Sequence, residues 1–189
     1  MKEIGPSEVD VNSIDLWVVS HGGVASNAIC DFLEINGIRT RPDNYGLICH
    51  KMHPGRGVNI PILVVYGDFE FAIKSMDRRK YLTANATKMR YGMDIPEINL
   101  KRLIETKPED PLGIIDFLNS YLIAKKEEID KIEFLEYPYK IKDAEEKLKK
   151  LGFEVDFSDF SLRERKKKFG LISKEVKYLL EIYGELNFP

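Results

Sequence analysis

The stretch Leu16-Trp17-Val18-Val19-Ser20-His21-Gly22-Gly23 decides the fold, together with a second apolar run at Ile60–Tyr66. Each run is short, largely apolar and followed by glycine, as expected of a strand that ends in a tight turn. After each turn apolar residues recur at helical spacing, from about Ala25 and again from Phe69. Ile60–Tyr66 shows no polar alternation, which is typical of a strand buried on both faces of a parallel sheet. These repeated units predict an α/β fold, with a parallel sheet flanked by helices in three layers.

Further elements are predicted along the rest of the chain, whose second half is rich in helices. Additional strands are expected at Tyr45–Cys49, Ile132–Leu135 and Phe153–Phe157. The last helices have capping residues in the sequence, which are Asp143 with Glu146 as a capping box and Ser173 as an N-cap.

Composition and charge exclude several classes of protein. The chain has 189 residues, 43% hydrophobic and 32% charged, so we expect one domain at 15–189 after an N-terminal extension at 1–14. The 29 basic and 31 acidic residues leave a net charge of −2, which argues against a nucleic-acid partner. No apolar run is long enough to cross a membrane and no signal-peptide pattern is visible, so a cytoplasmic location is predicted. Cys30 and Cys49 are expected to be reduced, and the absence of CxxC and HExxH patterns predicts no metal site.

The loop after the first strand is the strongest candidate for a binding site. Glycines let a backbone approach a ligand closely, and a helix N-terminus offers unpaired N–H groups and a positive dipole end. Ser26 and Asn27 add side-chain donors. The loop His21–Asn27 therefore predicts a site for a phosphate or sulfate group, although the GxxxxGK[ST] pattern is absent. The alternative is an ordinary strand-to-helix turn with no ligand.

The chain has only three histidines, His21, His50 and His53, and all are predicted at the carboxyl ends of the first two strands. Ligands bind at that edge of open α/β sheets, so at least one histidine is expected to face the site as a general base. Lys51 and Arg56 flank His53 and could stabilise developing negative charge. The alternative is that all of these are surface side chains in polar loops.

Two basic clusters come later in the chain. Ser75 precedes Arg78-Arg79-Lys80, and together they could hold a second phosphate, although an exposed helix surface explains them as well. The run Arg163–Lys168 has five basic residues in six, which is typical of a solvated helix face. It lacks the interleaved aromatic residues that nucleic-acid binding would need.

The order of these pieces resembles the PAPS-dependent sulfotransferase family. A glycine loop comes first, then Lys51-Met52-His53-Pro54, then the strand Ile62–Asp68 and the helical residues Ala72–Met76. That family has a P-loop-like loop for the 5′-phosphosulfate, a Lys-x-His stretch with its catalytic histidine, and a strand–helix motif whose arginine and serine hold the 3′-phosphate. The resemblance covers about residues 15–90. It implies a P-loop nucleotide-kinase-like fold and transfer of a sulfuryl group from PAPS to a hydroxyl or amine.

The resemblance also implies roles for particular residues. His53 would take the acceptor's proton, Lys51 would steady the bridging oxygen, and Ser75 would contact the 3′-phosphate. The residues that match the 5′-phosphosulfate loop are Gly22, Gly23, Val24, Ala25, Ser26 and Asn27. Two positions depart from the family, because its loop lysine or arginine falls within Gly22–Val24 and its 3′-phosphate arginine falls at Gly67.

Three functions are open at this point. The first is a PAPS-dependent sulfotransferase that acts on a small-molecule or carbohydrate acceptor. The second is an ATP-dependent, kinase-like transferase, for which Asp68 at a strand end is the only candidate magnesium ligand. The third is a degenerate domain without catalysis, which binds a nucleotide or uses its helical second half to bind a protein partner.

Overall fold

The computed structural model describes five parts of the chain, which are residues 13–41, 49–92, 95–162, 171–186 and 188. Three sequence predictions fall largely or wholly outside them. These are the N-terminal extension at 1–14, the strand Tyr45–Cys49 apart from Cys49 itself, and the basic run Arg163–Lys168. The other predicted elements can be compared with the structure.

Three parallel strands form the sheet in the described part of the chain. They are β1 (Trp17–Ser20), β2 (Ile62–Gly67) and β3 (Ile132–Tyr137), hydrogen-bonded in the order β1-β2-β3. Trp17 is level with Ile62, and Ile62 is level with Ile132, so the amino ends of the strands lie side by side. The three corresponding predicted strands are confirmed, with boundaries shifted by one or two residues.

Helices separate and follow the strands, as the sequence predicts. The α-helices within the described ranges are α1 (Ser26–Ile35), α2 (Phe69–Arg78), α3 (Leu82–Tyr91), α4 (Leu100–Thr106), α5 (Ile114–Lys126), α6 (Ala144–Leu151) and α7 (Lys174–Tyr183). α1 lies between β1 and β2, α2 to α5 lie between β2 and β3, and the last two helices follow β3. The structure therefore confirms an α/β fold with a parallel sheet and a helix-rich second half.

The side chains of β2 alternate between two apolar clusters. Ile62 and Val64 enter a cluster that includes residues of α2 to α5 and α7. Leu63 and Val65 enter a second cluster formed largely with α1 and α6. All four side chains are fully buried, which confirms the prediction that this strand is covered on both faces.

Cys49 borders β1 on the edge away from β2. The N–H of Trp17 donates to the carbonyl of Pro61, directly before β2, at 3.0 Å. The N–H of Ser20, three residues later, donates to the carbonyl of Cys49 at 2.8 Å. Because N–H groups of successive residues in a strand point to alternate edges, these two bonds lie on opposite sides of β1. Cys49 therefore lies beside the carboxyl end of β1.

The prediction of a strand at Phe153–Phe157 is wrong, because this segment has no regular structure. The N–H of Phe153 donates to the carbonyl of Leu148 at the end of α6, and that of Phe157 donates to Oε1 of Glu145. The Phe157 ring packs against Phe32 of α1 at 4.7 Å between centroids. The apolar residues of this segment therefore reflect side-chain packing over α1. The N–H groups of Phe153 and Phe157 are used by α6 and are not available to a strand.

The capping box predicted at Asp143 and Glu146 is also wrong. A 3-10 turn precedes α6 and leaves Asp143 with helical backbone angles, whereas an N-cap side chain needs an extended backbone to reach the first turn. Glu146 pairs instead with Lys150, one turn along, at 2.6 Å. The cap at Ser173 is confirmed, since its Oγ accepts the N–H of Val176 at 3.2 Å.

Gly67 is the last residue of β2 that pairs with β3. It is level with Tyr137, and a Cβ atom built on it would lie 1.9 Å from the carbonyl oxygen of Tyr137. No side chain fits there unless the two strands separate. The position where the sulfotransferase family has an arginine is therefore closed by backbone contact in this chain.

We expect Gly67→Ala to lower the free energy of unfolding by at least about 3 kcal/mol, because overpacking of this kind forces the backbone to shift. Urea denaturation measures the change. Gly57→Ala is the matched control, since a Cβ atom there would meet its nearest neighbour, the carbonyl oxygen of Ile129, at an ordinary 3.5 Å. Equal stabilities of the two variants would show that β2 and β3 do not approach this closely at Gly67.

Candidate functional site

The carboxyl ends of β1 and β2 meet at one edge of the sheet, which we call the carboxyl edge. The two strands are parallel, and Ser20 is level with Val65. The segment His21–Ala25 leaves β1 at this edge, and Asp68 follows β2 at the same edge. In open α/β sheets ligands commonly bind outside the carboxyl ends of the strands.

Glycine is required at two positions of the loop after β1. Gly22 and Gly23 have φ angles of 96° and 76°, in the left-handed region that favours glycine. A Cβ atom on Gly22 would lie 2.5 Å from Nδ2 of Asn85 and 2.7 Å from Sδ of Met76. A Cβ atom on Gly23 would lie 2.6 Å from the carbonyl oxygen of Ala72. The loop is therefore packed closely against α2 and α3.

The first turn of α1 has no side-chain cap. Ala25 precedes the helix at a φ of 57°, and its side chain accepts no hydrogen bond. The N–H of Ala28 donates to the carbonyl of Ala25 at 2.9 Å, so the first-turn N–H groups without an acceptor in the helix are those of Ser26 and Asn27, which could bind an anion. Oγ of Ser26 accepts a hydrogen bond from Oγ of Ser20 at 3.0 Å, which leaves the Ser26 proton to donate. Asn27 is exposed, whereas Val24 is buried in the cluster with α1 and can offer only its backbone.

Ser75 lies on the face of α2 that packs against this loop. Gly23 contacts Ala72 of α2, and residues three and seven positions further along a helix share its face. Ser75 and Arg79 occupy those two positions, and Nε of Arg79 donates to the carbonyl of Ser75 at 3.2 Å. The structure therefore brings the predicted residue Ser75 to the same end of the sheet as the glycine loop.

His50 also lies at the carboxyl edge. Its Nδ1 is 2.7 Å from the carbonyl oxygen of Ser20, the last residue of β1. Since a carbonyl can only accept, Nδ1 carries the proton and Nε2 carries the lone pair. Burial, together with the positive charges of Lys88 and Arg79, lowers the pKa of His50 to about 4, although the bond to Ser20 opposes the shift. His50 is therefore a neutral imidazole at pH 7.

His21 is fully buried beside His50. Its ring packs against Phe69 with centroids 5.2 Å apart. Burial lowers the pKa of His21 to about 3, and the repulsion that a charged His50 would exert acts in the same direction. The backbone of Gly22 lies close enough to oppose this shift, but neither ring nitrogen makes a hydrogen bond of acceptable geometry with any described residue.

The structure does not bring His53 together with the glycine loop, so the expectation that all three histidines share the carboxyl edge is wrong. Nε2 of His53 lies 2.9 Å from Oδ2 of Asp130, which precedes β3, and Nδ1 accepts the N–H of Gly55 at 3.1 Å. This places His53 at the opposite, amino edge of the sheet. β1, the strand beside this segment, is four residues long, so along it the two edges are roughly 10 Å apart at about 3.3 Å per residue.

The backbone of Lys51 lies on the path between the two edges. Its carbonyl accepts the hydroxyl of Tyr121 at 2.6 Å. The Tyr121 ring in turn contacts Trp17, at the start of β1, and His53, with centroid distances of 6.1 and 5.4 Å. The chain after Cys49 therefore runs back along the sheet. A return segment and a loop at a strand end look alike in sequence, which is why His53 was predicted at the wrong edge.

Asp68 takes part in the fold itself. Its Oδ1 accepts the N–H of Phe71 at 2.8 Å and so caps α2, and its Oδ2 accepts the hydroxyl of Tyr139 at 3.2 Å. Across the ranges that the structure describes, no group of three or more His, Cys, Asp or Glu side chains is placed to hold a metal ion. Both carboxylate oxygens of Asp68 therefore accept hydrogen bonds within the fold.

No sequence pattern points to two further side chains at the carboxyl edge, Asn85 and Lys88 of α3. Asn85 is buried, and its Nδ2 donates to Sδ of Met76 at 3.5 Å. Lys88 lies close enough to lower the pKa of His50. They are three residues apart and share one face of the helix. The polar residues of α3 are spread around the helix, so no periodicity marks this face in the sequence.

An open cleft of about 600 Å³ lies at the amino edge, away from the glycine loop. Its lining includes Lys125, Glu133 and Lys150. Lys125 pairs with Glu133 at 3.1 Å, and Lys150 pairs with Glu146 at 2.6 Å. Because these charges are already paired, the cleft is a weaker candidate for an anion site than the carboxyl edge.

Searches with this chain against family models, curated proteins and solved structures give no match. In the residues described, no helix has both the length and the apolar character needed to cross a membrane. The candidate site is therefore defined by the geometry of the carboxyl edge.

The two buried histidines predict that acid destabilises the fold. Below about pH 6.5 the unfolded chain protonates both rings, whereas the folded chain keeps His21 and His50 neutral until about pH 3 and 4. The unfolded state then binds more protons, so the free energy of unfolding falls as the pH is lowered. We expect a loss of at least about 3 kcal/mol between about pH 6.5 and about pH 4, at about 1.4 kcal/mol per pKa unit.

Urea denaturation at several pH values measures this loss. His21→Leu is the comparison, because it removes one of the two titrating rings and should reduce the pH dependence by about one proton. Parallel curves for the two proteins would mean that His21 is protonated as readily in the folded as in the unfolded chain.

Proposed function

We propose that this chain is a sulfotransferase-like protein that binds PAPS at the carboxyl edge and transfers its sulfuryl group to a hydroxyl or amine of a small-molecule or carbohydrate acceptor. The observation that carries the proposal is that the glycine loop, the uncapped start of α1 and Ser75 lie together at this edge. The loop and first-turn N–H groups, with Ser26 and Asn27, would hold the 5′-phosphosulfate. Ser75 would contact the 3′-phosphate.

The fold that accompanies this proposal is a three-layer P-loop nucleotide-kinase-like domain. Its support is the pair of apolar clusters on which the side chains of β2 alternate, since one includes α5 and α7 and the other includes α1 and α6. The strand–loop–helix unit β1–α1 would occupy the position of the phosphate-binding loop.

Positive charge for a polyanionic donor would come from the helices rather than from the loop. The loop itself has no basic side chain, and Gly67 cannot carry one. Arg79 on α2 and Lys88 on α3 both lie close enough to His50 to lower its pKa. Their charges would stabilise the negative charge that develops on the leaving 3′-phosphoadenosine 5′-phosphate.

His50 is better placed than His53 to act as the base. Its Nδ1–H is held by the carbonyl of Ser20, so Nε2 would be free to accept the acceptor's proton. The acceptor oxygen would form a bond to sulfur while the bond from sulfur to the bridging phosphate oxygen breaks. The proton moves to Nε2, and 3′-phosphoadenosine 5′-phosphate leaves with the electron pair. His53 is held by Asp130 at the amino edge and would serve the fold.

A binding domain without catalysis is the second candidate. The observation that favours it is the 1.9 Å approach of a Cβ atom on Gly67 to the Tyr137 carbonyl oxygen, which excludes the family's arginine. A bidentate arginine–phosphate contact has no equivalent in glycine. Such a protein would bind the nucleotide, or a protein partner, and would not turn it over.

The first prediction from the proposal concerns nucleotide binding. We expect 3′-phosphoadenosine 5′-phosphate to bind in a calorimetric titration and ATP to bind much more weakly. Ser75→Ala should weaken binding of the first nucleotide roughly tenfold, since a hydrogen bond to a charged group contributes about 1.5–3 kcal/mol. Ser158→Ala is the control, because Ser158 is exposed in the irregular segment after α6. No binding by the wild-type protein, or equal affinities for both nucleotides, would overturn the proposal.

The second prediction separates the two histidines. His50→Gln should slow the release of 3′-phosphoadenosine 5′-phosphate from PAPS at least about 100-fold in the presence of phenols, simple sugars or amines, because general bases contribute factors of about 10² to 10⁴. The variant should still bind the nucleotide. His53→Gln is the control and should keep the turnover per folded molecule. Nucleotide binding without any turnover in the wild-type protein would establish the second candidate.

A further inference from the structure

The two fully enclosed imidazole rings of His21 and His53 differ in one respect. Both nitrogens of His53 are hydrogen-bonded, one to Asp130 and one to the N–H of Gly55. Neither nitrogen of His21 makes a hydrogen bond of acceptable geometry with a described residue, although the backbone of Gly22 lies close to the ring and the whole residue is 0% exposed. Buried polar groups are nearly always hydrogen-bonded, so an exception calls for a physical explanation.

Without a well-formed hydrogen bond to a described residue, the His21 ring is expected to contribute little to the stability of the fold. An unsatisfied buried donor or acceptor loses its hydration without compensation, so an apolar side chain of similar size would be more stable at this position. The ring packs against Phe69, a contact that leucine would also make. A hydrogen-bond partner that the described residues do not provide can be supplied by a bound molecule.

The position of His21 indicates where that molecule would lie. The residue joins β1 to Gly22, the first glycine of the candidate loop, and its ring is close enough to His50 for the two to repel each other when charged. Its low pKa keeps the ring neutral, so it cannot form an ion pair with a phosphate or sulfate. A neutral imidazole donates one hydrogen bond and accepts another, which suits an uncharged hydroxyl group.

We propose that His21 is a ligand-binding residue whose ring exchanges hydrogen bonds with a hydroxyl group of the molecule held at the glycine loop. The location of that molecule rests on the proposed function. The hydroxyl could belong to the ribose of the nucleotide or to the acceptor, and both sources share the same chemistry. In either case the ring selects for an uncharged hydroxyl beside the anion site.

The test uses the full chain and two matched variants, His21→Leu and His53→Leu. We expect His21→Leu to raise the urea midpoint of unfolding and His53→Leu to lower it, since only the second leaves bonded partners unsatisfied. A lower midpoint for His21→Leu would overturn the proposal, because the ring would then have a partner within the folded protein.

Binding assays then locate the hydroxyl. If it is on the ribose, His21→Leu should bind 3′-phosphoadenosine 5′-phosphate at least tenfold more weakly, and only the wild-type protein should discriminate against the 2′-deoxy nucleotide. If it is on the acceptor, nucleotide affinity should be unchanged and the KM for phenol or sugar acceptors should rise at least tenfold. Unchanged affinity and KM would overturn the proposal.

A crystal structure of the wild-type protein soaked in glycerol distinguishes this proposal from the proposed function. The deciding case is a wild-type protein that binds neither nucleotide, for which the proposed function fails. A glycerol hydroxyl bonded to the His21 ring would still support a hydroxyl-binding site. A ring that is dry, or bonded only to an ordered water, would overturn it.

Discussion

The burial of β2 on both faces is the constraint on which the rest of the structure depends. Its side chains enter two separate apolar clusters, one that includes residues of α2 to α5 and α7 and one that includes residues of α1 and α6. Its two edges are occupied by β1 and β3, which leaves no part of the strand in contact with water. A ligand can therefore approach only at the ends of the strands, where the chain leaves the sheet.

Close helix packing and ligand binding would both require glycine in the loop after β1. Gly22 and Gly23 adopt left-handed backbone angles and also leave room for side chains of α2 and α3. The presence of glycine there cannot by itself distinguish a ligand site from a close helix contact. What distinguishes them is the surroundings, because an uncapped helix start, a serine pair and two neutral histidines all lie at this point.

The two ends of the sheet differ in how completely their buried polar side chains are hydrogen-bonded. At the amino edge, His53 and Asp130 satisfy each other, and Asp130 also accepts the N–H groups of Val58 and Asn59. At the carboxyl edge, His50 is hydrogen-bonded through Nδ1 but through Nε2 to no described residue, and neither ring nitrogen of His21 makes a well-formed hydrogen bond to one. Complete pairing is typical of groups that hold a fold together, and incomplete pairing marks groups available to a ligand.

The sequence predicted those features that depend on local pattern. The strands Trp17–Ser20 and Ile62–Gly67 followed from apolar runs that end in glycine, and the Ser173 cap followed from side-chain chemistry. Features that depend on the path of the chain were not predictable. His50 and His53 are only three residues apart, yet they lie at opposite edges because the segment between them runs along the sheet. Phe153–Phe157 has the composition of a strand, but the N–H groups of Phe153 and Phe157 donate to Leu148 and Glu145 of α6 rather than to a neighbouring strand.

The contact between Gly67 and Tyr137 also limits how this sequence can change. Placing an arginine at position 67 would require β3 to move away first, and a chain with β3 displaced would lose the cover of β2. The substitution and the displacement of β3 would have to occur together. A basic residue at position 67 therefore cannot be reached by one substitution alone. Added positive charge at this edge would therefore have to come from residues around the loop rather than from position 67.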